Sequence, residues 1–188
     1  MHPSLDAFIA ESRRTADAIA DPADCVIAIA PLMQALIGHA GDFLEPAHYR
    51  SDPGHYTRNA IYICPTGNLS LFAIVWQPGQ WTPVHDHGSW GVVGVIEGVL
   101  EERAYMSAHG DIVDDSGISL KRGGLVLLNA GAVSTFVPDP DHIHMTGVPE
   151  FRPPCVSLHL YGRNMDSFHV YAVAEGTRKR ITVAHHAS

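Results

Sequence analysis

The chain has 188 residues, 46% of them hydrophobic and 17% charged, with a formal net charge of −8. This is the composition of an ordinary soluble globular protein, long enough to bury a sizeable core as one domain over residues 1–188. The acidic balance excludes a nucleic-acid binder, which needs a basic face, and no apolar run reaches the ~18 residues of a membrane span.

Two helices are predicted first. Leu5, Phe8, Ile9, Ala16 and Ile19 recur at roughly helical spacing over 5–20, and Ser4 is placed to cap the start. The early charges Asp6, Glu11, Arg13 and Arg14 do not suit a signal peptide. Asp21-Pro22 restarts the helix, since proline suits the first turn. Cys25 to Ile37 continues it, with Gly38 and Gly41 near its end. The helical part thus covers about 4–45.

From about residue 56 the texture changes. Short runs rich in Val, Ile, Leu, Phe and Tyr alternate with Gly, Pro, Asn and Asp turns. Strands are predicted at 60–64, 69–77, 92–97, 99–106, 117–121, 125–129, 134–137, 142–146, 155–161 and 168–174. Thr66-Gly67-Asn68 reads as a hairpin turn between the first two. Many short strands at regular spacing mean an all-β sandwich or barrel over about 56–175. Arg178-Lys179-Arg180 reads as a solvated C-terminal segment, and His185, His186 and Ser188 as tail. The three cysteines, Cys25, Cys64 and Cys155, are an odd count without metal-type spacing and read as reduced thiols of a cytoplasmic protein.

The chemistry concentrates in Gly79–Gly98, GQWTPVHDHGSWGVVGVIEG. His85 and His87 are one residue apart, so in a strand both imidazoles leave the same face and converge on a point, as a metal site needs. The spacing of these glycines and histidines resembles the first cupin motif, which adds a Glu ligand a few residues later. Here Gly91 or Val92 stands in that place, so the carboxylate is missing. A third ligand can come from Asp141-His142-Ile143-His144, where His142 and His144 again share a face. Glu97, Glu101 and Glu102 are placed too far along for ligation and read as exposed strand or turn residues. Three neutral imidazoles leave the full charge of an M²⁺ ion facing the open positions, where a thiolate is a natural partner.

Two further patterns stand out. Arg58, in His55-Tyr56-Thr57-Arg58-Asn59, can hold a carboxylate by a two-pronged ion pair. Ser157, His159 and Tyr161 share one face of a strand whose other face carries Leu158 and Leu160. If buried, those polar groups must be hydrogen-bonded, and a relay Ser157–His159–Tyr161 would aim the tyrosine hydroxyl.

Taken together, YTRN at 56–59, PVHDH at 83–87, IH at 143–144 and SLHLY at 157–161 resemble the cysteine dioxygenase family of thiol dioxygenases, which are cupins. The resemblance spans roughly 56–172. It implies a mainly β fold, the cupin double-stranded β-helix, preceded by α-helices. It implies that His85, His87 and His144 bind one Fe(II), that Arg58 anchors the substrate carboxylate, and that Tyr161 reaches the bound thiolate and oxygen. His159 and Ser157 would orient Tyr161. The implied reaction adds both atoms of O₂ to the sulfur of a small carboxylated thiol, giving a sulfinate.

Three departures bear on the details. The animal enzymes carry a cysteine shortly after H-x-H that crosslinks to the active-site tyrosine; here Ser89-Trp90-Gly91-Val92 offers none. HDHGSWGVVGV resembles the branch that oxidises 3-mercaptopropionate, yet that branch usually has Gln where this chain has Arg58. Gly162-Arg163 replaces the Ser-Pro that follows the tyrosine in the animal enzymes, and Arg163, if turned inward, would admit a dicarboxylate such as mercaptosuccinate. Cysteine is the first expected substrate. The competing classes are a non-oxidative metal-dependent cupin isomerase or lyase and a ligand-binding cupin. Trp76, Trp81 and Trp90 are expected to pack, with Trp90 near enough to line the pocket.

Overall fold

The structure, a computed structural model, describes residues 2–138 and 142–186. Asp141 and Ser188 lie outside the described residues. Two long helices open the chain, α1 Pro3–Ala18 and α2 Pro22–Ile37. The cap of α1 is His2, whose ring accepts from the Ser4 amide, rather than Ser4 itself. Asp21 caps α2 by accepting from the amides of Ala23 and Asp24. A short helix α3 (Ala40–Phe43) and a 3₁₀ turn (Pro46–Tyr49), which the sequence pattern did not reveal, lead into the strands.

Ten strands follow among the described residues: β1 Thr57–Ile63, β2 Ser70–Trp76, β3 Gly91–Glu97, β4 Val99–Ser107, β5 Leu120–Asn129, β6 Val133–Phe136, β7 Ile143–Gly147, β8 Cys155–Tyr161, β9 Ser167–Ala172 and β10 Thr177–Thr182. Two expected strands, 117–121 and 125–129, are one strand, β5. Its Gly123-Gly124 sits at a bulge, where Arg103 pairs with Leu125 but Tyr105 with Arg122. The basic Arg178-Lys179-Arg180 run is not loose chain but part of β10, paired antiparallel with β9. Its alternation was hidden because this ribbon is polar along much of its length.

All the paired strands are antiparallel, in the orders β1-β2-β8-β3-β6, β5-β4-β7 and β10-β9. The last two are joined through His85, which bridges both His144 of β7 and Val170 of β9. The result is two facing walls, a double-stranded β-helix with helices on the outside of the five-stranded wall. No helix among the described residues is long and apolar enough to cross a membrane.

Alternation along the central strands divides the core in two. Leu71, Ala73, Leu158 and Leu160 face outward and pack with Ile29, Met33 and Leu36 of α2. Phe72, Ile74, Trp76, Val93 and Tyr161 face inward between the walls. Burying Ile29 and Met33 completely contributes about 1.5–3 kcal/mol each. Gly98 makes the tight step from β3 to β4: it has φ of +76°, and a Cβ there would lie 2.3 Å from the Pro154 carbonyl oxygen.

Candidate metal centre and substrate pocket

His85 and His87 do converge, though not within a regular strand. Residues 77–90 form an irregular segment of turns and bends held at single points. The His85 amide donates to the His144 carbonyl (2.8 Å) and the His144 amide donates back (3.0 Å). Between the two histidines, Asp86 points the other way and is 3% exposed. Its carboxylate accepts from the Tyr171 hydroxyl (2.9 Å) and the His169 amide (3.1 Å), and its Oδ2 lies 3.0 Å from His169 Nδ1. This anchor replaces the missing ladder and fixes the rotation of the segment.

The rings of His85, His87 and His144 lie 4.6–4.9 Å apart, centroid to centroid. One ligand atom from each can be chosen so that all three fall within 4.8 Å of one another, so the trio could hold a metal ion. His85 Nδ1 is 3.1 Å from the Pro83 carbonyl oxygen, leaving Nε2 for other work. His144 Nε2 and His87 Nδ1 are buried without a partner. Burial, and then the neighbouring histidines, push His85 and His87 well below their ordinary pKa; burial also lowers His144, against the pull of Glu102. All three are therefore held neutral, the form that ligates metal. Of the two histidines left open by the H-x-H pattern, His144 joins the trio.

Glu102, read from the sequence as exposed, is half-buried behind this centre. It accepts from His144 Nδ1 and His142 Nε2, each at 3.2 Å. Burial alone would raise its pKa, but the hydrogen bonds from His142 and His144 win and hold it well below the usual carboxylate range. A signal was available: Glu102 shares the inward face of β4 with Leu100, which is 2% exposed. Glu101 is buried, where it accepts from Arg103 Nε at 2.7 Å.

On β8 the polar stripe is buried and connected. The Trp76 indole donates to Ser157 Oγ (2.9 Å), Ser157 Oγ is 2.8 Å from His159 Nε2, and His159 Nδ1 is 3.2 Å from the Tyr161 hydroxyl. Because Ser157 already accepts from Trp76, its own proton is best spent on His159 Nε2. His159 then carries its proton on Nδ1 and donates to Tyr161, freeing the tyrosine proton for the cavity. Burial lowers His159 to about 3 and raises Tyr161 to about 12, so both stay neutral. Trp76, expected only to pack, starts this chain of donors and stacks on Tyr56 at 4.7 Å.

Arg58 is 7% exposed and reaches the same cavity. Its guanidinium lies 4.6 Å over the Phe72 ring and donates through Nη2 to the Met165 carbonyl. Nη1 is buried with no partner. The cavity bounded by Arg58, Tyr161 and the histidine trio has a free volume of about 30 Å³.

A family model, cysteine dioxygenase type I, matches residues 14–174. The chain belongs to the cysteine dioxygenase type I family. Among its relatives, cysteine dioxygenase type 1 of Homo sapiens is 25% identical over 161 residues, covering 82% of this chain and 76% of the relative. The protein of the same name from Rattus norvegicus is 24% identical, covering 72% and 65%. A solved structure of a conserved protein with a double-stranded β-helix domain from Klebsiella pneumoniae matches at TM-score 0.43 and 15% identity, over 73% of this chain and 91% of that one. A cupin-like protein from Thermotoga maritima matches at TM-score 0.42 and 14% identity, over 75% and 89%.

Arg163 and Trp90, the two residues expected near the rim, both stay out of the cavity, and Trp90 packs as expected. Arg163 does not turn inward: Nε donates to the His87 carbonyl (3.1 Å), Nη1 to Asn164 (3.3 Å) and Nη2 to the Ser167 carbonyl. It splints the H-x-H segment against the β8–β9 loop instead of offering a second cation. Trp90 is not among the cavity residues; it packs with the helix-side core and against Gly162, where a Cβ would sit 2.3 Å from the indole. The three cysteines are free and buried.

Proposed function

We propose that this protein is an Fe(II)-dependent thiol dioxygenase that oxidises a small carboxylated thiol, cysteine first, to its sulfinate: RSH + O₂ → RSO₂⁻ + H⁺. The observation that carries this reading is the buried, unpartnered Nη1 of Arg58 in one small cavity with three neutral histidines and the Tyr161 hydroxyl. A buried guanidinium nitrogen left without an acceptor, on a cation with no carboxylate against it, is costly and calls for an anion.

His85, His87 and His144 would hold the metal through three neutral nitrogens, a donor set that fits a divalent ion and leaves coordination positions open. A bound Fe(II) would supply those positions and the electron-transfer chemistry that lets dioxygen react with a thiolate. Arg58 binds the substrate carboxylate and so sets the direction in which the sulfur points. Tyr161, aimed by His159 and Ser157, offers a hydroxyl proton to the reacting sulfur and oxygen. Phe136 and Phe168 line the cavity and dry it, which strengthens each polar contact within it. 3-Mercaptopropionate presents the same carboxylate and thiol, whereas a dicarboxylate finds no second cation at Arg163.

The test is metal analysis with oxygen uptake by the iron-loaded protein against cysteine, 3-mercaptopropionate, mercaptosuccinate and cysteamine. Uptake with the first two, little with cysteamine, and loss of carboxylated-thiol oxidation in Arg58→Ala are expected. Losing a buried charged contact of this kind costs about 2–5 kcal/mol. A redox-inert metal without uptake would point to the isomerase or lyase class.

A further inference from the structure

Residues 183–186 are not loose tail. The Val183 amide donates to the Asp166 carbonyl at 2.8 Å. The His186 amide donates to the carbonyl of Arg58 itself, and its own carbonyl accepts from Ala60, both at 2.8 Å. His186 thus forms a parallel bridge with Asn59 beside β1. Residues 183–186 form a strap stitched to the backbone that carries the arginine.

Between these stitches His185 approaches Phe72, the rings 5.5 Å apart and edge-on. Phe72 is the ring that the Arg58 guanidinium covers. His185 Nδ1 is buried and has no partner, as is Arg58 Nη1. Both residues, with Tyr56, line a cleft of about 580 Å³, and Tyr56 and Arg58 also line the cavity of the histidine trio. No carboxylate among the described residues lies in ion-pair distance of Arg58. Two orphaned nitrogens beside one aromatic ring, on residues that line the same cleft, are the donors that one small anion with two oxygens would need.

We propose that His185 is a second substrate-binding residue, which donates from Nδ1 to the carboxylate held by Arg58 and closes the substrate pocket on its outer side. This rests on the reading of Arg58 as the carboxylate anchor. Burial, and then the Arg58 charge, lower the pKa of His185, so it acts as a neutral donor beside a single cation. That suits a monoanion. The strap also limits length: a thiol acid extended beyond its carboxylate meets residues 183–186.

The experiment is calorimetric titration of propionate into the iron-loaded wild type, His185→Phe and His186→Pro. His185→Phe keeps a ring against Phe72 but removes the donor. His186→Pro removes the amide that holds the Arg58 carbonyl. One hydrogen bond to a charged group is worth about tenfold or more in affinity, so His185→Phe should weaken propionate by about that factor, and His186→Pro severalfold, with iron content unchanged. The KM for cysteine should rise in step, while the binding of cysteamine, which has no carboxylate, titrated in the same way, should not move. Wild-type affinity in His185→Phe, no propionate binding by the wild type, or an equal loss of cysteamine binding would overturn the assignment. If propionate behaves as expected but no thiol supports oxygen uptake, the carboxylate site stands and the dioxygenase reading falls.

Discussion

Glu102 Oε2 lies 3.2 Å from Nδ1 of His144, on the opposite side of the ring from the unpartnered Nε2. The carboxylate keeps the proton on Nδ1, sets the ring plane and raises the basicity of the nitrogen that faces His85 and His87. Glu102→Ala should therefore weaken metal binding by about 10–100-fold, with a smaller loss in Glu102→Gln, whose amide oxygen can still accept. Competition with a chelator measures this without turnover. Unchanged affinity in Glu102→Ala would make the contact incidental to the centre.

Tyr161 should carry no covalent link to a cysteine. Cys155 sits at the far end of the same strand, six residues away and thus about 20 Å off. Cys64 packs in the helix-side core, whereas Tyr161 faces the space between the walls. The intact mass should equal that of the unmodified sequence. A deficit of two hydrogens mapped to a Tyr161 peptide would contradict the structure.

Removing the Tyr161 hydroxyl tests the donor chain from Trp76. Tyr161→Phe keeps the ring and its packing but loses the aimed proton. Turnover should fall on the order of 10²-fold, the common cost of one oriented donor, with metal content close to wild type. Parallel loss of metal and rate would assign the hydroxyl a structural role.

Acid should destabilise the metal-free protein well before the carboxylates titrate. His159 is held at about 3 in the fold, against an ordinary value of 6.5. Between those values the unfolded chain binds a proton that the folded chain refuses, so stability falls as pH is lowered through that window. The slope is about 1.4 kcal/mol per pH unit for each such histidine. His85, His87 and His144 are shifted in the same direction. Urea midpoints at pH 7.5 and 5.5 should show the lower value at 5.5, and the reverse order would refute the buried neutral state.

The sequence was most legible where alternation and chemistry coincided. On β8, Leu158 and Leu160 face the helices and Ser157, His159 and Tyr161 the cavity, as period-two spacing requires, because a strand between β2 and β3 has no freedom to slip. The merging of Asp21-Pro22 into one helix with Cys25–Ile37 was equally plain from the cap. Long-range partners were harder to see. Glu102 meets His144 only because β4 pairs with β7, with Ala104 opposite His144, and sequence distance carries no trace of that register. Trp76 joins the relay through the inward face that it shares with Ser157 across the β2–β8 pair. His185 looked like solvent-exposed tail because a strap bound mainly by backbone amides leaves no side-chain pattern.

The bridges of His85 to His144 and to Val170 give the H-x-H segment a second duty. It is the seam along which the β5-β4-β7 ribbon is sewn to the β9–β10 ribbon. An ion gripping His85 and His144 from the side-chain direction would rivet the same seam that their amides baste together. Filling the centre and closing the barrel thereby draw on a single equilibrium, and the emptied protein should breathe first at β7 and β9, letting amide protons there exchange with solvent while the helix-backed wall stays shut.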